Sequence, residues 1–200
     1  MDLVERAKRI LLQPGQEWQV INTETTTTAD LYKSYIVPLA AIGPVASIIG
    51  MSVVGVSVPF FGTYRVPFGT AISHAVATYV MTLVGVYVLA LIINALAPTF
   101  AAEKNDMQAL KVATYFTTAA WLAGVFTLIP MLSILGVLGL YSLYLLYLGL
   151  PILMKAPQEK ALAYTAVVVV AAIVVFAVIS VVAGAFVTYP TPTMRMPGTK

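Results

Sequence analysis

The chain alternates long apolar runs with short polar breaks, and the lengths of the runs set the elements. A helix that crosses a hydrocarbon core of about 30 Å needs about 20 mostly apolar residues. Five stretches meet that requirement: about 34–58, opening "SYIVPLAAIG"; 69–96, opening "GTAISHAVATYV"; 109–129; 133–154; and 161–187. Only helices and closed barrels satisfy their own backbone in lipid, and these runs lack the alternation of barrel strands. The pattern predicts an all-α fold, an integral membrane bundle of five transmembrane helices with a short N-terminal amphipathic interfacial helix.

The boundary between the third and fourth runs rests on one feature. From Ala109 to Met154 the only charge is Lys111, and a straight helix of that length would reach about 70 Å. The chain has to turn back, and "IPMLS" around Pro130 supplies the hinge, because proline cannot donate the helical hydrogen bond. A tight helical hairpin is expected, with a kinked re-entrant pair as the alternative.

Ahead of the first span, "LVERAKRILL" places Leu3, Val4, Ala7, Ile10 and Leu11 on one helical stripe and Glu5, Arg6, Lys8 and Arg9 on the other side. "QPGQEW" ends that helix, with Trp18 as an interfacial anchor. The segment either lies along the inner membrane surface or packs on the cytoplasmic ends of the bundle, and the pattern leaves both open. "NTETTTTADLYKS" reads as a linker in which Asp30 caps the first span. Residues 1–33 then form a cytoplasmic helix and linker, 34–187 the membrane domain, and 188–200 a disordered tail rich in proline and threonine. The N-terminus lacks the apolar core of a secretory signal peptide, so the first span is expected to direct insertion.

Composition agrees with lipid as the solvent. Of 200 residues, 60% are hydrophobic and 10% charged, against about 25% charged in a soluble domain. A net charge of +3, spread along the chain, gives no electrostatic footprint for nucleic acid. The absence of cysteine removes disulfides, thiolate nucleophiles and cysteine-bound metals. With the N-terminus in the cytoplasm, the inside carries Arg6, Lys8, Arg9, Lys33, Lys104, Lys111, Lys155 and Lys160, and the outside Arg65, Arg195 and Lys200. That excess sets the N-terminus inside and the C-terminus outside.

Ionisable groups within a membrane are the first candidates for function. His74 is the single histidine and reads as a polar group near the outer surface. Lys33 and Lys111 sit where lysines snorkel to headgroups, and no acid falls mid-membrane, which argues against a proton-coupled carrier. Asn94 reads as a helix-end or interhelical hydrogen-bonder, Tyr141, Tyr144 and Tyr147 as packing residues with hydroxyls seeking neighbours, and Gly136, Gly139 and Gly149 as points of close helix contact. Pro38 and Pro44 break the first span, as in transporter sites, but proline is also common in ordinary membrane helices. No nucleophile with its base, paired carboxylates or phosphate loop is visible, so the chain reads as no enzyme, with no cofactor or metal.

"LPILMKAPQEKALAY" interrupts the apolar chain at residues 150–164 and reads as a helix-turn-helix junction. Lys155 and Lys160 anchor it, Pro157 shapes the turn, and Glu159 meets the helix dipole. "LYLLYLGLPILMKAPQEKALAYTAVVVV" resembles the C-terminal signature of the Yip family, the Ypt/Rab-interacting membrane proteins, in its prokaryotic branch. "VERAKRILLQPGQEW", "DLYKSYIVPLAAIG" and "AAWLAGVFTLIPMLSILGVLGLYSLYLLY" extend the resemblance over nearly the whole chain. It implies five membrane helices and a cytoplasmic N-terminus, and it marks Asp30, Tyr32, Gly149, Pro151, Lys155, Pro157, Glu159, Lys160 and Tyr164 as candidate interaction residues. Eukaryotic members engage prenylated small GTPases and carry a longer soluble N-terminal region, whereas this sequence has about thirty residues before its first span. The expectation is a scaffold in membrane organisation that binds membrane lipids and membrane or cytoplasmic proteins, and a homo-oligomer is compatible with it. The alternative is a small channel or transporter, assembled as an oligomer with a pore between protomers.

Overall fold

The computed structural model describes residues 2–58 and 62–185, with side chains at most of them. The expected tail at 188–200 lies outside the described residues, as do Arg195 and Lys200. Two short helices, α1 (Leu3–Leu12) and α2 (Pro14–Thr23), precede five helices long and apolar enough to cross a membrane. These spans run Thr28–Val54, Phe68–Phe100, Asp106–Leu128, Ile134–Leu153 and Gln158–Ala185. The all-α membrane-bundle class holds.

The first span starts six residues before its apolar run, because its first turn is polar and capped. Thr27 accepts from the Asp30 amide at 3.1 Å and donates to the Asp30 carboxylate at 2.6 Å. Thr27 is therefore the cap, and Asp30 answers it from within the helix. The span is irregular, widening to π geometry at Tyr32–Ile36 and Gly50–Val54, around Pro38 and Pro44. Proline removes a hydrogen bond and crowds the preceding turn, and a π segment relieves that crowding. The Val37 carbonyl accepts the Tyr79 hydroxyl at 3.0 Å, so this break is closed from the second span. The helix ends at Gly55, whose φ of 86° suits a residue without Cβ. Beyond it β1 (Val56–Val58) pairs antiparallel with β2 (Gly62–Tyr64) in a small hairpin, where the apolar run had predicted helix to Val58.

The third span is the centre of the bundle. Every residue from Ala109 to Ala119 is buried, by spans one, two and four together with α2. Water cannot drive such packing within lipid, so close contact and hydrogen bonds carry it. Gly43 and Gly124 bring spans one and three together, since a Cβ on Gly124 would lie 2.9 Å from the Gly43 Cα. Tyr35 and Thr118 share a hydrogen bond at 2.9 Å, and the Ala120 amide donates to Ser142 at 3.1 Å.

Spans three and four form the hairpin, packed along their length. The reversal sits at Ile129, extended at φ −120° and ψ 105°, the conformation favoured before proline. From Pro130 to Leu140 the returning chain is a 3-10 helix. Gly139 packs on Ala120, but Gly136 has nothing within 4 Å of a would-be Cβ, so the expected helix contact there is absent.

Connectivity gathers charge at one end. All eight acidic residues and Arg6, Lys8, Arg9, Lys33, Lys104, Lys111, Lys155 and Lys160 lie in the half of the molecule that carries α1, α2 and the loops after spans two and four. Among the described residues the opposite end holds Arg65.

Candidate functional site

The charged end is built around α1 and α2, which fold back on each other and pack against the bundle. Ala7 and Ile10 of the apolar stripe are buried, while Val4 and Leu12 stay 70% and 69% exposed. Of the two placements open from the sequence, packing on the bundle is the one found. Arg6 also turns inward. It sits three residues after Leu3 and four before Ile10, a spacing that puts it on the buried stripe rather than the polar face.

Arg6 organises a buried polar cluster. Its Nη1 donates to Glu17 at 2.6 Å, its Nη2 donates to Glu24, and its guanidinium lies 5.7 Å from the centre of the Tyr115 ring. Burial alone would lower the Arg6 pKa, but the Glu24 hydrogen bond and the electrostatic effects of Tyr115, Glu24 and Glu17 outweigh it and hold it above its ordinary value. The cation is therefore permanent and its pairing obligatory.

Lys111 completes the arrangement. It was expected at the headgroups, yet it is 3% exposed and donates to the carbonyls of Ile21 at 2.8 Å and Glu24 at 2.6 Å. These are orphan acceptors at the C-terminal end of α2, where the helix dipole also favours a cation. Trp18 departs from expectation in the same way. Fully buried, it meets Tyr115 edge-on at 6.2 Å and rests on Gly149, where a Cβ would come within 2.8 Å of the indole. It anchors α2 to span four, not to the membrane interface.

Beside this cluster opens a polar cavity of about 320 Å³, lined by Arg6, Glu24, Thr26, Ser34, Tyr35 and Tyr115 among others. On the bundle flank an apolar groove of about 530 Å³ runs between α1 and spans one and three, past Ala7, Leu11, Pro38, Ile42 and Leu122, with Lys8 at its lip.

The residues singled out from the sequence fall into separate contacts. Gly149 seats Trp18. Tyr164 is fully buried, stacks on Phe100 at 4.8 Å and donates to the Ile93 carbonyl, which ties span five to span two. Lys155 pairs with Glu103 at 2.7 Å, while the Glu103 amide donates to Met154 at 2.8 Å, so the loops after spans two and four are strapped together. Pro157 accepts the Lys160 amide at 2.9 Å, opening span five, and Glu159 lies in its first turn. Pro151 lies inside the fourth span, and Tyr32 donates to the Leu83 carbonyl at 2.8 Å. Asn94 joins spans two and three as read, accepting from the Asn105 amide at 2.8 Å and donating to Asp106. Arg6, Glu17, Glu24 and Tyr115 were not singled out. The stripe spacing of Arg6 was the one legible signal, because a partner eighteen residues away leaves no local mark.

Among the described residues no group of three or more His, Asp or Glu could hold a metal ion. Nothing at the charged end pairs a nucleophile with a base. The arrangement can bind and position, through a polar recess, an apolar groove and an exposed ion-paired loop.

The Yip1 domain family model matches residues 8–179. The chain is 27% identical over 118 residues to the inner membrane protein YohC of Escherichia coli strain K12, and equally to the protein of the same name from strain O6:H1. Each match covers 59% of this chain and 60% of that protein, so it spans less than two thirds of the relatives' length. No solved structure matches. The matched residues take in α2, the Glu17, Glu24, Lys111 and Tyr115 members of the polar cluster though not Arg6, and nearly all of the five spans, and the chain belongs to the Yip1 domain family of integral membrane proteins.

Proposed function

We propose that this chain is a non-enzymatic scaffold of the cytoplasmic membrane that holds lipid and protein partners at its charged end, with its N-terminus inside. The observation that carries this reading is the close-packed centre of the bundle. Span three is enclosed by side chains from Ala109 to Ala119; Thr118 shares a hydrogen bond with Tyr35 of span one, Thr117 donates to carbonyls of its own helix, and the loosened Val37 carbonyl of span one accepts the Tyr79 hydroxyl of span two. A transport path needs polar groups facing water at mid-membrane, whereas the polar cavity here lies at the charged end. The name of the Escherichia coli relative, an inner membrane protein, supports the membrane assigned, and the excess of lysine and arginine at the charged end supports the orientation.

The test has two arms. In-cell crosslinking followed by purification in mild detergent is expected to recover the same partners repeatedly, and Glu159→Ala with Lys160→Ala is expected to deplete some of them. Reconstituted vesicles are expected to stay impermeable to a broad panel of ions and solutes. Recovery of no partner, or a flux above protein-free vesicles, sinks the scaffold reading.

A further inference from the structure

The α1–α2 hairpin does not sit above the bundle; it runs down its flank. Its upper end is fixed at Lys111, which holds the carbonyls of Ile21 and Glu24. Its lower end is fixed by Tyr141, which donates to the Leu11 carbonyl at 2.9 Å. Leu11 and Leu12 share a groove with Ile42 and Leu122. Leu122 lies eleven residues beyond Lys111 on span three, so the tip reaches about 16 Å below it. That is about half a hydrocarbon core.

The face this hairpin turns outward is mostly polar, with Val4, Leu12 and Val20 its apolar exceptions. Glu5, Lys8, Arg9, Gln13, Gln16 and Gln19 are all exposed, and the Arg9–Glu5 pair at 3.0 Å spans the surface. Beside it at similar depth, span four exposes Leu138 and Leu140, and on the far side spans two and five present Val80, Val84, Ile173, Val174 and Val178 to lipid. One flank therefore asks for water and headgroups at a depth where the others ask for hydrocarbon. A bilayer meets such a demand by snorkelling, local thinning and water entry.

We infer that the α1–α2 hairpin is a membrane-thinning element, which draws the headgroups of the leaflet at the charged end down the flank of spans one, three and four while the flank of spans two and five keeps full thickness. Lys8 and Arg9 meet the lowered phosphates, and the groove beneath Lys8 takes an acyl chain from that level toward the other leaflet. Thinning on one side and in one leaflet tilts neighbouring lipids and bends the sheet. The inference rests on the scaffold reading and gives it phospholipid as a partner. Its failure would leave the recovery of protein partners untouched, so the two fail separately.

The chain has no cysteine, so single sites can be labelled. Gln16→Cys and Val178→Cys, which lie at comparable depth on opposite flanks, each take a nitroxide in vesicles of phosphatidylcholine and phosphatidylglycerol. A water-soluble nickel chelate is expected to relax the label at Gln16 and to leave the label at Val178 unaffected, with oxygen showing the reverse preference. Replacing Lys8, Gln16 and Gln19 with leucine around a label at Gln13→Cys is expected to abolish nickel access there. A Gln16 label as dry as the Val178 label overturns the inference, because the polar flank then lies in undeformed lipid. Equal nickel access at both sites also overturns it, because the whole bundle then rides high and no flank is thinned.

Discussion

Spans three and five are helices of one bundle built to opposite rules. Span five is the more apolar, and it turns Leu162, Val170, Ile173, Val174 and Val181 outward. Span three is the least apolar of the five, and its Thr114, Thr117, Thr118, Lys111 and Tyr115 are buried. In water the greasiest helix would be the core. Here lipid solvates the apolar helix at no cost, and the interior goes to the helix whose polar groups need partners. The fold is held where hydrogen bonds and small residues meet, and it is indifferent where valines face lipid.

The sharpest way to break this contrast is Arg6→Ala, which strands Glu17 and Glu24 beside span three. Loss of one partner of a buried pair costs about 3–5 kcal/mol, read as a lower midpoint in denaturant titration of the detergent-solubilised protein. Adding Glu17→Leu is expected to recover part of it. Next comes Gly124→Val, which forces a side chain against the Gly43 backbone at the crossing of spans one and three. Overpacking costs typically about 1–3 kcal/mol, and the upper end applies because the obstacle is main chain.

Lys111→Met keeps the volume but strips two carbonyls of their donor, for about 1–3 kcal/mol. Protease should then cut preferentially between Thr23 and Thr28, as α2 loosens. The control is Val181→Ala on span five, expected to shift the midpoint by less than about 0.5 kcal/mol. A larger shift there would show that span five is packed against something other than lipid.

What could be read from the sequence follows the same division. The number of spans and the turn at Pro130 were legible because length and hydropathy register contact with lipid. The junction at Lys155–Lys160 was legible because its signals are local: charges, a proline, and a carboxylate at a helix start. Lys111 and Trp18 were misplaced because a run of apolar residues looks the same whether lipid or protein surrounds it. The same blindness hid the seat of Trp18 on Gly149 and that of Tyr164 on Phe100, both made across distant parts of the chain. The early start of span one escaped because a capped threonine turn carries no hydrophobic signal.

The perch of Trp18 on Gly149 also orders events at the ribosome. The indole is made early, yet its seat exists only once span four has been synthesised. Until then α2 can dock on span three alone, through Lys111 and Tyr115, and the indole lacks its second wall. A residue born among the first is thus among the last to be fully enclosed, and a truncated chain ending before Gly149 would hold α2 by span three alone.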